Sequence, residues 1–178
     1  MPGLSELEGT VLGVIGREGS CTAYALRREF AGSRTARWRA SAGAIYPLVV
    51  RLEAAGLIAS RASEGDRRGT RRLSLTNKGA KALAAWMAAA TPELASAPAD
   101  PIRTRVHFLA RIDAARRAAV VRGWIDQTER EIDAIDADER VHDPFARLAL
   151  EGARDQLVAR RDWLRSVLDR VAPAAGDT

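Results

Sequence analysis

The chain has 178 residues, 47% hydrophobic and 29% charged, which suffices for one core or two small ones and excludes disorder by composition. With no run of about 18 apolar residues, no secretory pattern in "MPGLSELEGT" and a single cysteine, Cys21, the expectation is a cytoplasmic protein without a helical membrane span or an internal disulfide. The net charge of +5 is divided unevenly: residues 1–90 hold 14 Lys/Arg against 7 Asp/Glu, whereas residues 91–178 hold 14 against 16, so the first half is the one expected to meet a polyanion.

Leu4, Leu7, Val11, Leu12 and Ile15 recur at helical spacing and predict a first helix over about 4–16, started at Ser5. After the turn "REGS", a second helix over about 22–30 is expected to bury Leu26, Phe30 and either Tyr24 or Ala23. "RTARWRA" sets three arginines around Trp38, and Ser41 is expected to cap a third helix, "SAGAIYPLVVRLEAAG". Its inner face would carry Ile45, Leu48, Val49, Leu52 and Ala55, with Gly56 ending it. Its outer face would carry Gly43, Tyr46, Pro47, Val50 and Ala54. "LIASRA" and "TRRLSLT" predict a hairpin around the turn "SEGDRRG", and Thr76 caps a fourth helix to about Ala90.

"ATPELASAPADP" reads as a linker over 91–100. Beyond it only helices are expected, over about 101–112, 114–140 and 144–171, two of them opened by the same Asp-Pro signal at Asp100 and Asp143. The predicted fold class is mainly α with a small β-hairpin. A winged helix-turn-helix domain (1–90) would be followed by an all-helical domain (101–172).

A third helix with a small, aromatic, nearly uncharged outer face is poorly made for water and well made for a DNA major groove. Ala42, Gly43 and Ala44 let the backbone approach, Tyr46 offers a hydroxyl, and Val50 can touch a thymine methyl. Pro47 forgoes a bond to the Gly43 carbonyl, on the side a ligand or water can reach. The competing reading is a face packed on another domain or another protein. It would bury the ring of arginines, Arg34, Arg37, Arg39 and Arg51 around the helix and Arg67, Arg68, Arg71 and Arg72 on the wing, at a high desolvation cost. The expected contacts to double-stranded DNA are therefore Tyr24, Arg39, Ser41, Ala42, Gly43, Tyr46, Pro47, Val50, Arg51, Arg67, Arg68 and Arg71.

These same residues carry a family resemblance. "SAGAIYPLVVRLEAAGLI", a basic wing and "LTNKGAKALAAW" resemble the PadR family of bacterial transcriptional regulators over residues 4–90. The helix-only C-terminal part is similar to that of the family's larger subgroup. Ala42 stands where the family has proline, and Leu73 and Ser74 where it has a tyrosine pair. The resemblance implies a ligand-responsive homodimeric repressor with Tyr46 and its helix in the groove.

No residues support an enzyme. His107 and His142 lack a second ligand at helical spacing, no Gly-rich phosphate loop or nucleophile–base pattern is present, and no cofactor or metal is expected. Cys21 precedes a helix, which favours a thiolate, although a small semi-buried residue is the plainer reading. Phe108, Trp124, Phe145 and Trp163 are either ordinary core or, through the resemblance, the lining of a pocket for a small hydrophobic or aromatic effector. The long apolar stripes of the last two helices predict a two-fold dimer exchanging Ile125, Ile132, Leu157, Leu164 and Leu168.

Overall fold

The computed structural model describes residues 3–33, 36–62, 70–139 and 141–171, without the side chains of residues 36, 37, 40 and 115. The chain divides into two units, Met1–Ser96 and Ala97–Thr178. The break falls inside the stretch predicted as a linker, which also carries the one-turn helix α6 (Pro92–Ala95).

The first unit runs α1 (Glu6–Glu18), β1 (Cys21–Thr22), α2 (Ala23–Gly32), α3 (Ala36–Ser41), a 3-10 turn (Ala42–Ala44), α4 (Ile45–Ala54), β2 (Ile58–Ala62), β3 (Arg71–Leu75) and α5 (Asn77–Ala88). A capping box starts α1: the Glu8 amide donates to Ser5 Oγ, and the Ser5 amide to Glu8 Oε2 at 2.9 Å. Thr22 and Thr76 cap α2 and α5 by accepting from the amides of Ala25 and Gly79, without the reciprocal bond. The core closes on Val11, Leu12, Ile15, Leu26, Phe30, Ile45, Leu48, Leu52 and Ile58, with Trp38 stacked on Phe30 at 5.1 Å between ring centroids. The hairpin is one strand wider than its sequence pattern. The order is β1-β3-β2, all antiparallel, with Cys21 opposite Leu73 and Ser60 opposite Leu73 on the other side.

Two expectations about the third helix are corrected. Ser41 does not cap it: its backbone is helical (φ −85°, ψ −7°), its side chain makes no cap bond, and it is the last residue of α3. The described part of the arginine-rich segment before it, from Ala36 on, is thus helical itself. Pro47 is also cheaper than expected. Because α4 begins at Ile45, Pro47 lies in its first turn, where an N–H has no α-helical partner to lose.

The second unit contains α7 (Pro101–Val106), a 3-10 turn (Leu109–Arg111), α8 (Ala114–Asp136) and α9 (Pro144–Val171). The helix expected over 101–112 breaks after Val106. The carbonyls of Leu109 and Ile112 accept instead from Arg117 Nε, at 3.1 and 2.8 Å. Asp143 accepts from the Ala146 amide at 2.7 Å, as an N-cap should. The apolar stripes of α8 and α9 face each other around Val121, Ile125, Leu164 and Val167.

Asp100 ties this unit together. It accepts from the amides of Ile102 and Arg103 at the start of α7 and from Arg160 Nε of α9, at 3.0 Å. Burial pushes its carboxyl up, but the two amides and the guanidinium outweigh burial and hold it below the usual carboxylate range. A depressed folded-state value means its contribution is present above the ordinary carboxylate range and lost as pH falls through the folded value. Asp100→Ala is expected to destabilise the unit by about 1–2 kcal/mol near neutral pH. In urea melts the gap from wild type should shrink in acid; a pH-independent gap would remove the carboxylate from this role.

Candidate nucleic-acid interface

The outward face of α4 carries Tyr46, Pro47 and Val50, with Gly43 just before it, all exposed. Tyr46 is 48% and Val50 66% exposed, although the opposite face of the same helix is buried. Gly43 has a negative φ, and a Cβ built on it would meet nothing within 4 Å. Neither backbone conformation nor internal packing therefore asks for glycine there. Tyr24, from the first turn of α2, stands beside this face at 60% exposure. Neither tyrosine hydroxyl makes a hydrogen bond among the described residues. Of the two residues expected as alternatives, Tyr24 and Ala23, it is Ala23 that packs against the core.

Between α4, the start of α2 and the sheet lies a groove of about 500 Å³, lined by Thr22, Tyr24, Tyr46, Val50, Glu53, Ser60 and Arg71 among others. Strand alternation decides which wing arginine faces it. Arg71 shares its face with Leu73 and enters the groove, where its Nη2 lies 3.3 Å from Glu53 Oε1. Arg72 points the other way and donates to Ser20 Oγ and the Ser20 carbonyl, at 2.7 and 2.8 Å.

Of the other expected contacts, Arg51 is exposed on α4 without an ion-pair partner among the described residues. Arg39 is exposed but spends one nitrogen on the Ser33 carbonyl, at 2.7 Å. Ala42 is buried in the core cluster and so is corrected: the slim leading end is Gly43 and Ala44. Arg67 and Arg68 at the wing tip, and Arg34 and the Arg37 side chain, lie outside the described residues. Glu53 escaped the sequence reading because an acid in a basic surface has no pattern of its own. Its partners are 7 and 18 residues away.

Cys21 is buried, and burial, helped by Glu18 and Glu29, pushes its thiol up. The helix-terminus argument for a reactive thiolate is thereby overturned. Among the described residues no group of three His, Cys, Asp or Glu could hold a metal ion, and no helix is long and apolar enough to cross a membrane.

In the second unit the expected dimer and effector residues separate. Ile125, Ile132 and Leu164 are buried inside the chain's own helix pair, so the expectation that they cross a dimer interface is corrected. Leu157 and Leu168 are half-buried. Trp124 and Trp163 both pack on the α8–α9 cluster, whereas Phe108 and Phe145 are exposed. Phe145 and Trp163 are 18 positions apart on one helix, about 27 Å along its axis. The four aromatics therefore do not line one pocket.

Residues 11–85 match the transcriptional regulator PadR-like family. No curated protein matches the sequence. The fold is similar to that of Bacillus subtilis PadR in complex with operator DNA, with a TM-score of 0.79 at 19% identity, covering 94% of this chain and 99% of that one. It is likewise similar to Bacillus subtilis PadR in complex with p-coumaric acid (TM-score 0.73, 18% identity, 93% and 94% of the two chains). The PadR-like transcriptional regulator BC1756 from Bacillus cereus gives a TM-score of 0.70 at 17% identity, over 94% and 97%. The winged helix thus occupies the same residues, 11–85, that match the model of the PadR-like transcriptional regulators, a family of DNA-binding transcription factors and not of enzymes.

Proposed function

We propose that the chain is a cytoplasmic, ligand-responsive repressor that binds a palindromic operator as a homodimer. The observation that carries the DNA contact is the outward face of α4. It is uncovered, almost uncharged and led by a glycine that nothing inside the chain requires, and it stands beside the exposed Arg51 and Arg71. Tyr24, Tyr46, Val50 and Arg51 meet the duplex in this reading, with Arg71 and the wing tip on phosphate. Two-fold symmetry would place the paired helices about 34 Å apart, one turn of the duplex.

The C-terminal unit is assigned the dimer. With Ile125, Ile132 and Leu164 already used internally, the uncovered apolar surface of α9 is Phe145 and Leu148, with Gly152 on the same face and open space around it. The effector is a small aromatic molecule, in keeping with the p-coumaric acid bound by the Bacillus subtilis PadR of similar fold. Trp124 and Trp163 are the aromatic groups assigned to meet it.

Tyr46→Phe tests the central contact. It should weaken binding to a duplex selected by the chain from a random pool by about 1–2 kcal/mol, a hydrogen bond to a charged oxygen. The fold should be unchanged, because the ring faces outward. Unchanged affinity in a mobility-shift titration would take the Tyr46 hydroxyl off the contact list.

A further inference from the structure

Among the described residues lining the groove Glu53 is the one carboxylate, and a DNA-facing groove should exclude it. Its geometry shows what it is attached to. From the last turn of α4, Oε1 accepts from Ser60 Oγ on β2 and from Arg71 Nη2 on β3, so one oxygen joins the recognition helix to both strands of the wing. The Arg71 side chain is 63% exposed. Untethered, so long and exposed a side chain would lose most of its rotamer freedom on reaching a phosphate.

On the reading of α4 and the wing as a DNA interface, on which this inference rests, we infer that Glu53 is a positioning residue for operator recognition. It holds the Arg71 guanidinium over the groove in the free chain, so the ordering cost is met before DNA arrives. Guanidinium has five donors, and the pair to Glu53 leaves others free for a phosphate oxygen. In a duplex seated on Tyr46 and Val50, Arg71 stands between carboxylate and phosphate and screens them from each other. A duplex lying across the groove out of register meets the carboxylate directly and is repelled. Glu53 therefore favours the seated complex over the unseated one.

Glu53→Gln in the full chain removes the charge and keeps an acceptor for Ser60. Affinity for the selected duplex should fall about three- to tenfold, while affinity for a mixed-sequence duplex of the same length stays level or rises. In an Arg71→Ala background the same change should no longer lower affinity for the selected duplex. Parallel losses on both duplexes, an undiminished loss without Arg71, or tighter binding to the selected duplex would each overturn the assignment. If the wild-type chain shows no salt-dependent affinity for either duplex, the DNA reading itself fails, and this inference with it.

Discussion

Gly79→Ala should destabilise the N-terminal unit by about 3–5 kcal/mol, at the extreme of single-residue effects. An ideal Cβ on Gly79 would lie 1.9 Å from the Leu57 carbonyl oxygen and 2.9 Å from its carbon. The obstacle is backbone and cannot rotate away. That same oxygen accepts from the Thr76 amide at 3.1 Å, while the Thr76 hydroxyl donates to the Gly56 carbonyl at 2.7 Å and accepts from the Gly79 amide at 3.0 Å. Moving Leu57 would disturb the end of α4 and the cap of α5 together. Against a typical total of about 5–15 kcal/mol the variant should be barely folded, with a melting midpoint lower by about 15 °C or more. Gly43→Ala is the counterpart. Open space surrounds Gly43, so its melt should match wild type while DNA binding weakens. A Gly79→Ala melt close to wild type would mean that α5 does not pack as described.

A fragment of residues 1–96 should bind an operator more weakly than the full chain by a factor of about 10²–10⁴, the avidity lost with the second half-site. It retains the groove, Tyr46 and the wing. It lacks α9, where Phe145 at 78% exposure and Leu148 at 62% form an apolar surface that the chain leaves uncovered. Sedimentation should report a monomer for the fragment and a dimer for the full chain. In the full chain Phe145→Asp should shift the equilibrium toward monomer without unfolding the helix pair, because its side chain is mostly exposed. A dimeric fragment, or equal affinity for the full palindrome, would move the dimer contact out of the C-terminal unit.

Local signals carried much of the architecture. The capping box at Ser5, the threonine caps at 22 and 76, the Asp-Pro starts at 100 and 143 and the left-handed Gly56 each act within four residues of chain, so they are legible as text. The periodicity of α4 likewise separates Ile45, Leu48 and Leu52 from Tyr46 and Val50 in the sequence alone. What tertiary structure alone decided is whatever depends on partners distant in sequence. A two-residue strand at Cys21 has no period and exists only because β3 offers it an edge. Arg71 and Arg72 read alike as charge, and the pleat sends one to the groove and the other to Ser20. Stripes that looked in excess on α8 and α9 cover each other, because antiparallel helices of that length bury Ile125, Ile132 and Leu164 without a second chain. Sequence periodicity reports that a face will be buried; only packing determines against what.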